Sequence, residues 1–319
     1  MRGRFTILYI AEADPEAAVL SSGALAHLVE ALPNAEVTVV GSPNSAPLFA
    51  HVPGLRKLLV LEREGRLEWI GLWNQLRATE WSLIVDMRGT AISTRLRRQR
   101  RAVRGAPEPG QHAVEAAART LQLDETPAPR LFVSDEDRAA ADALIGSDPS
   151  PILAVGPGVD WIGKAWPAER YAKVATALFA DAGPLRDARL MIVGGEDERD
   201  AAHTIRLATA RNRVIELQGK LTTLQTVAAL SRARLYLGAD SLWTQLAVAA
   251  GVPSVAVFGP SDDAVKGPWR GRSVRGSRAV DDFRAIDPNL NQAIQHMMDL
   301  PAERVLKAAR ELLVETEPK

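Results

Sequence analysis

Cysteine is absent from the 319 residues, which excludes disulfide bonds, a thiol nucleophile and cysteine-ligated metal sites. The five histidines are scattered and show no metal-ligand spacing, so we expect no metal. Neither sign of charge is in excess, because 39 basic residues balance 39 acidic ones. No global charge therefore attracts the chain to nucleic acid or to a membrane. No 18-residue apolar run lacks charge, glycine and proline, which leaves no candidate membrane-spanning helix.

Two phosphate-binding fingerprints are also missing. No G-x-G-x-x-G follows the first apolar strand, and no P-loop occurs. Gly194 and Gly195 follow a later strand, but three acidic residues come next and would repel a pyrophosphate. A nicotinamide-dependent enzyme, such as a dehydrogenase or an epimerase, is therefore disfavoured. The N-terminal apolar run ends by Ile10, too early for a signal peptide, and so we expect a soluble cytoplasmic protein.

The chain instead contains a regular alternation of strand and helix patterns. The first half predicts strands at 5–10, 36–40, 56–62 and 81–86, and helices at 15–32, 66–78, 89–100 and 111–122. Proline-rich segments at 126–129 and 146–151 flank a helix at 135–145. The second half predicts strands at 152–156, 189–194, 214–217, 233–237 and 254–260, and helices at 167–182, 197–211, 222–231, 241–250 and 301–315.

Strands that are apolar on both faces are typical of parallel sheets with helices on either side. We therefore predict an α/β protein with two Rossmann-like domains, an N-terminal one at 1–148 and a C-terminal one at 149–319. A hinge between two such domains predicts an interdomain cleft. The last predicted helix, at 301–315, is assigned to the C-terminal domain, with packing on the N-terminal domain as an alternative.

The most informative segment is Gly238–Pro253, which lies between two apolar runs. It predicts a strand, a polar turn, a helix that starts at Asp240 or Ser241, and a stop at Gly251. A helix start at the carboxyl end of a parallel strand presents unpaired amides to the ligand crevice. Asp240, Ser241 and Thr244 would add side-chain oxygens there. We predict a site for an anion, above all phosphate.

Three further segments carry candidate binding groups. Lys164 follows a glycine turn at a strand end and would neutralise a diphosphate, unless it is a solvated loop lysine. Trp166, beside it, is expected to be a packing anchor. The loop 259–263 follows another strand and lies close to the Gly238–Pro253 segment. Six arginines between residues 95 and 104 predict a phosphate or anionic-lipid surface, unless they are a solvated helix end.

In order and spacing, these segments resemble glycosyltransferase family 9, the ADP-heptose:lipopolysaccharide heptosyltransferases. The resemblance extends over nearly the whole chain. The matching segments are 164–171 (KAWPAERY), 217–222 (LQGKLT), 239–241 (ADS), 246–253 (LAVAAGVP), 258–262 (FGPSD), 83–89 (LIVDMRG) and 112–115 (HAVE). It implies a GT-B type fold with two facing Rossmann-like domains.

The resemblance also implies a function: inverting, metal-independent transfer of a sugar from a nucleotide diphosphate donor to a lipopolysaccharide or other glycan. The donor would be ADP-linked and no cofactor is implied. Peripheral contact of this cytoplasmic protein with the inner membrane surface is left open, and nucleic acid is not a partner. The donor diphosphate would be bound by Lys164, Asp240, Ser241, Thr244 and Gln245, and the nucleoside by Glu216. The acceptor would be bound by Arg88, Arg95 and Arg98.

The chain departs from the family pattern at its proposed site. The family's catalytic aspartate falls on Ala17, so Asp14 or Glu16 would have to substitute as the general base. In the Gly238–Pro253 segment, Leu242 stands where the family has a glycine, and Gln245 stands where the family has a histidine. Two hypotheses follow. The chain is either an active, divergent glycosyltransferase, or a non-catalytic relative that binds a sugar nucleotide or glycan or serves as a scaffold.

Overall fold

The computed structural model describes residues 4–63 and 65–317, apart from the side chain of Asp197. Contacts divide the chain into two compact units, Met1–Ser134 and Asp135–Lys319. The division falls earlier than the predicted boundary at residue 148. The helix after it, Asp135–Ile145, packs within the second unit, where Arg232 forms an ion pair with Asp142.

The first unit is a five-stranded parallel sheet with helices on its connections. Its strands are β1 (Thr6–Ile10), β2 (Glu36–Gly41), β3 (Leu55–Val60), β4 (Trp81–Asp86) and β5 (Arg98–Val103). Its helices are α1 (Pro15–Ala31), α2 (Arg66–Leu76), α3 (Ile92–Arg95) and α4 (Ala113–Thr120). The strand order is β3-β2-β1-β4-β5, so the order reverses between β1 and β4. A ligand crevice forms at such a switch point.

The second unit is a six-stranded parallel sheet in the order β11-β10-β9-β6-β7-β8. The strands are β6 (Ile152–Gly156), β7 (Arg189–Ile192), β8 (Val214–Glu216), β9 (Leu235–Ala239), β10 (Ser254–Phe258) and β11 (Arg272–Arg275). The helices are α5 (Asp135–Ile145), α6 (Ala168–Phe179), α7 (Arg199–Ile205), α8 (Thr223–Leu230), α9 (Leu242–Ala249), α10 (Asp263–Lys266), α11 (Val280–Ile286) and α12 (Ala302–Glu315). The switch point lies between β6 and β9.

The pattern of buried residues explains where the strands of these sheets form. Strands β6, β9 and β10 are buried along their whole length, as both-face apolar sequence predicts. Helix α1 starts at Pro15, with Asp14 as its N-cap. Helix α9 is followed by Gly251 in the left-handed region, at a φ of 77°, where the sequence placed its end. Trp166 is buried, and its indole donates to the Leu300 carbonyl, which makes it a packing anchor.

The prediction of a basic helix at 89–100 was wrong. Only Ile92–Arg95 is helical, and the arginine-rich segment continues as edge strand β5, parallel to β4. The run lacks the apolar face that an amphipathic helix would need, whereas an edge strand tolerates charged side chains. Strand β11 and helix α11 were not predicted from the sequence.

The closing helix α12 packs on α6 and on the sheet of its own unit. Its apolar side contributes Val305, Ala309 and Leu312 to the core of the second unit. Across the described ranges, no helix combines the length and apolar character that a bilayer span requires.

Candidate functional site

At the switch point of the second unit, a buried carboxylate is surrounded by two lysines and a hydroxyl. Asp240, at the end of β9, is 1% exposed. Its Oδ2 lies 3.5 Å from Lys164 Nζ, and its Oδ1 lies 3.2 Å from Lys266 Nζ. Ser261 Oγ donates to Oδ2 from the loop after β10. Three chain segments thus converge on one carboxylate, which fixes two ammonium groups at the sheet edge.

Helix α9 starts beside this cluster. Ser241 is its N-cap residue, and the Ser241 hydroxyl makes no capping bond. Its Oγ is buried and finds no hydrogen-bond partner within the described part of the chain. The first backbone amides of a helix also lack intrahelical acceptors. The amides of Leu242 and Trp243 therefore join the two lysines as donors suited to an anion.

Glycine is required beneath this site because the Tyr236 ring lies against two strand backbones. A Cβ at Gly156 in β6 or at Gly238 in β9 would collide with the Tyr236 side chain. Burial raises the pKa of Tyr236, so its hydroxyl remains protonated at neutral pH. The tyrosine therefore fills the space under the switch point as a neutral packing group.

A second carboxylate lies nearby, at the segment where the sequence lacks the dinucleotide fingerprint. Glu198 Oε2 accepts from the Gly195 amide at 2.8 Å, and Oε1 accepts from Trp243 Nε1 at 3.2 Å. A Cβ at Gly158 or Gly194 would collide with this carboxylate. Glu198 therefore links the loop after β7 to the first turn of α9, and the glycines accommodate it rather than a pyrophosphate.

Two of the predicted donor ligands point into the protein. Thr244 is fully buried, and its hydroxyl donates to the Ala239 carbonyl at 2.5 Å. Gln245 is also fully buried, and its Nε2 donates to the Lys266 carbonyl at 2.8 Å. Thr244 therefore stabilises the turn between β9 and α9. Gln245 holds the backbone of the lysine that reaches Asp240.

The residue predicted to bind the nucleoside, Glu216, lies at an edge of the sheet, away from the Asp240 cluster. Glu216 ends the edge strand β8 and forms an ion pair with Arg206 at 3.4 Å. Lys220 Nζ donates to the Glu216 carbonyl at 2.7 Å. A cavity of about 670 Å³ opens beside them, lined also by Arg211 and Thr209. Its volume suits a small ligand.

The first unit has a charged cluster at its own switch point. Glu12 follows β1, Arg88 follows β4 and Arg104 follows β5. Arg104 Nη1 contacts Glu12 Oε1, and both side chains are 19% exposed. Burial raises the pKa of Glu12 above its ordinary value, although the Arg104 and Arg88 charges act in the opposite direction. The cluster thus combines a carboxylate of enhanced basicity with two guanidinium groups.

The two predicted bases lie next to this cluster, at the start of α1. Asp14 Oδ1 accepts from the Ala17 amide at 2.8 Å, which makes the carboxylate a helix cap. Glu16 lies in the first turn of α1. Ala17, where the family aspartate was expected, contributes only its amide to the cap.

The three predicted acceptor arginines occupy different positions. Arg88 places its guanidinium carbon 5.5 Å from the centroid of the Trp69 ring. Arg95 is at the end of α3 and lines a cavity with Trp69 and Trp73. Arg98 Nη1 donates to the Thr94 and Leu96 carbonyls at 3.0 and 2.9 Å, so it holds the turn between α3 and β5.

Sequence reasoning missed Ser261 as a partner of Asp240, and Glu12 with Arg104. It also gave no role to Lys266. Each of these residues follows a strand end, and this position was the only sequence feature that could have identified them. The order of the strands in the sheet, which brings the residues together, cannot be predicted from one sequence. The described residues contain no group of three or more histidine, aspartate or glutamate side chains placed to hold a metal ion.

Comparison with known proteins identifies the family. Residues 86–281, more than half of the chain, match glycosyltransferase family 9 (heptosyltransferase). The chain belongs to this family. A lipopolysaccharide heptosyltransferase 3 from Escherichia coli is 27% identical over 166 residues, which cover 50% of this chain and 46% of that protein. The chain thus spans about half the length of this relative.

Two solved structures have the same fold. A family 9 glycosyltransferase from Veillonella parvula aligns over 99% of both chains, with a TM-score of 0.77 and 18% identity. The E. coli ADP-heptose lps heptosyltransferase II aligns over 98% of this chain and all of its own, with a TM-score of 0.73 and 18% identity. The predicted α/β fold with two parallel-sheet units is confirmed.

Proposed function

We propose that the chain is a glycosyltransferase that moves a sugar from an ADP-linked donor to a glycan of the lipopolysaccharide type, by inversion and without a metal. The observation that carries this proposal is the convergence of Lys164 and Lys266 on the buried carboxylate of Asp240. Two ammonium groups around one buried carboxylate would leave a positive charge beside the start of α9 once the exposed Asp160, which also pairs with Lys164, is displaced. Such a site would hold the diphosphate and stabilise it as a leaving group.

The donor is assigned to the second unit. Ser241 and the first amides of α9 would bind phosphate oxygens, and Glu216 would bind the nucleoside beside its cavity. The family match and the similarity to an ADP-heptose transferase favour adenine as the base. Lys164 lies 2.9 Å from Asp160, and this exposed carboxylate would be released when a diphosphate binds.

For the proton transfer we propose Glu12 as the general base, ahead of the predicted Asp14 and Glu16. Asp14 is used to cap α1, whereas Glu12 is partly buried with a raised pKa. A carboxylate with a raised pKa accepts a proton more readily from an acceptor hydroxyl. Arg104 would orient it.

A nucleotide panel tests the donor assignment. The melting temperature is measured with ADP, UDP, GDP and CDP, because a ligand at ~100 times its dissociation constant adds roughly 2.7 kcal/mol of stability. We expect stabilisation by ADP above the other three. Turnover is then measured as ADP release from an ADP-sugar with an acceptor extract. Stabilisation by none of the four would reject the donor assignment.

A non-catalytic, sugar-nucleotide-binding relative is the second candidate. It is favoured by Ala17, which has no carboxylate, and by the use of Asp14 as a helix cap. The discriminating experiment restores the family residues with Ala17→Asp and Gln245→His. ADP release only after restoration would establish this reading. Release by the native chain, unchanged by restoration, would reject it.

A further inference from the structure

Arg275, the last residue of strand β11, binds a loop that belongs to the proposed donor site. Its Nη1 donates to the Ser261 carbonyl at 2.7 Å and to Asp263 Oδ1 at 2.9 Å. Its Nη2 donates to the Gly259 carbonyl. All three acceptors lie between Gly259 and Asp263, in the loop after β10 and at the first residue of α10. One guanidinium group therefore fixes a single short segment at three points.

The order of the strands explains why Arg275 reaches this loop. Strand β11 is the edge strand beside β10, and Phe258, the last residue of β10, is paired with Arg275 in the parallel register. The carboxyl end of β11 therefore lies beside the backbone that leaves β10. A planar guanidinium group carries five N–H donors in a fixed geometry, which suits several acceptors on one loop better than the ammonium group of a lysine.

The beginning of this loop also packs on the core of the second unit. A Cβ at Gly259 would collide with Met297 Sδ, and Met297 is a core residue that is 1% exposed. The Arg275 and Asp263 side chains are 22% and 27% exposed, so their ion pair is largely shielded from water. Shielded ion pairs are screened less by salt than exposed ones. The loop is therefore held by packing at its beginning and by Arg275 further along.

The loop and the short helix after it carry two groups that contact Asp240. Ser261 Oγ donates to Asp240 Oδ2, and Lys266 Nζ lies 3.2 Å from Asp240 Oδ1. Arg275 binds the carbonyl of Ser261 itself and the carboxylate that begins α10, a helix of about one turn that ends at Lys266. A shift of the loop would therefore move both groups relative to Asp240.

We propose that Arg275 is a positioning residue of the donor site, which holds Ser261 and Lys266 in place and through them sets the affinity for a diphosphate. The inference rests on the proposed function, because that function assigns the Asp240 cluster to phosphate binding. The control of the Lys266 ammonium group by Arg275 needs no ligand. The positioning role and the ligand assignment can therefore be tested separately.

The chemical reactivity of Lys266 tests the positioning role. The full chain is labelled with acetic anhydride, without nucleotide, and the acetylation rate of each lysine is followed by mass spectrometry. An ammonium group that is held against a buried carboxylate must leave it before the amine can react. In Arg275→Gln we expect Lys266 to be acetylated about threefold faster relative to the exposed Lys173, the size expected for loss of a partly exposed ion pair.

A variant of the same strand provides the control. Arg272 begins β11 and pairs with Glu315, so Arg272→Gln removes an equal charge without touching the loop. It should leave the acetylation of Lys266 unchanged. Arg275→Lys keeps the charge but loses the fork of donors, and should resemble Arg275→Gln; it also gives the same test if Arg275→Gln does not fold. Native labelling of Lys266 in folded Arg275 variants, or equal effects of Arg272→Gln, would overturn the proposal.

Nucleotide affinity tests the consequence for the donor site. Titration calorimetry compares ADP with AMP, which has a single phosphate. Arg275→Gln should weaken ADP binding about tenfold, the size expected for loss of one charge-assisted contact, and AMP binding less. The double variant with Lys266→Gln should lose less ADP affinity than the sum of the two single variants, because both act on one group. Equal losses of ADP and AMP affinity, or strictly additive losses, would reduce Arg275 to a structural residue.

Failure of the proposed function has a different signature. If the native chain binds neither nucleotide, the donor assignment is wrong, and the acetylation rate of Lys266 alone decides whether Arg275 positions this lysine. If the native chain binds ADP but the Arg275 variants bind it equally well, the donor assignment stands and the positioning role is rejected.

Discussion

Lys266 Nζ lies 3.2 Å from Asp240 Oδ1, although the two residues come from different loops of the second unit. Lys266 ends α10, after β10, whereas Asp240 directly follows β9. The contact exists because β9 and β10 are parallel neighbours, so their carboxyl ends meet at one edge. The buried carboxylate holds the ammonium group at the edge of the sheet, beside the start of α9.

Replacement of this lysine tests the donor site. We expect Lys266→Gln to weaken ADP binding about tenfold, since hydrogen bonds to charged groups contribute roughly 1.5–3 kcal/mol and exposure reduces this value. Titration calorimetry with ADP measures the change. Lys173→Gln is the control, because Lys173 is exposed in the same unit and pairs with Glu303. Equal affinities of the two variants would remove Lys266 from the site.

Gln245 should affect the affinity for the donor indirectly, by holding Lys266 in position. Gln245→Leu loses the bond to the Lys266 carbonyl but also removes an unpaired buried oxygen, so the melting temperature should change little. ADP affinity should nevertheless fall several-fold, because the lysine backbone is no longer held. Gln245→His retains a donor and should restore affinity. A large loss of stability with unchanged affinity would give Gln245 a purely structural role.

The proposed role of Glu12 as the general base predicts a change in the rate and in its pH dependence. Glu12→Gln should lower kcat about 10²- to 10⁴-fold, the usual contribution of a general base, without changing ADP affinity. The base must be ionised, so kcat/KM should fall as the pH drops through the raised pKa of Glu12. Arg104→Gln removes a charge that lowers this pKa, and should move the acid limb to higher pH.

Variants of neighbouring carboxylates discriminate among the base candidates. Glu30→Gln serves as the matched control, because Glu30 lies at the far end of α1 and pairs with Arg130. It should leave turnover unchanged. If Asp14→Asn or Glu16→Gln abolishes turnover while Glu12→Gln retains it, the base is that residue and not Glu12.

The sequence predicts the elements of this fold well where burial dictates the pattern. The first and last residues of strands Trp81–Asp86 and Ile152–Gly156 were predicted correctly. A short run between turns whose residues are apolar on both faces is compatible with few structures other than a buried strand. The start of the arginine run was assigned to the helix at 89–100. Pairing with β4, a contact remote in sequence, decides that it is strand β5.

The residues of the candidate site could likewise be predicted only in part. Asp240, Ser241 and Lys164 were singled out because each follows a strand end, where ligands bind in parallel sheets, and the structure places Lys164 beside Asp240. Thr244 and Gln245 belong to the same segment, but one turn of helix directs them into the core. Glu12 could not be identified, because its pKa is raised by burial and its ion-pair partner, Arg104, is 92 positions away in the sequence.

The glycines beneath the donor site give a test of packing. Gly238→Ala places a methyl group against the Tyr236 side chain and should destabilise the fold by about 1–3 kcal/mol, the usual cost of overpacking. Tyr236→Phe removes the nearest contact, the hydroxyl oxygen, and leaves the two ring carbons that the methyl group also meets. The double variant should therefore recover part of the lost stability in denaturant unfolding. Strict additivity of the two changes would show that the collision is relieved elsewhere.

A buried acid in the second unit predicts an acid-dependent loss of stability. Asp287 is fully buried, with His296 Nε2 3.7 Å from its Oδ2. Burial alone would raise the pKa of Asp287, but the Gln292 and Asn291 amides and His296 outweigh it and hold the pKa below its ordinary value. A lowered pKa stabilises the fold above the unfolded pKa of 3.8, and this contribution is lost as the pH falls through the folded value.

Asp287→Asn isolates that contribution. At pH 7 the variant should melt below the native chain, because the carboxylate is lost to its amide donors and to His296. As the pH falls below 3.8 the native carboxylate becomes protonated, and the two melting temperatures should converge. Asp281→Asn is the control, since Asp281 is exposed on α11 and pairs only locally with Arg284. A difference between Asp287→Asn and native protein that stays constant from pH 7 to pH 3 would assign the effect to shape rather than to charge.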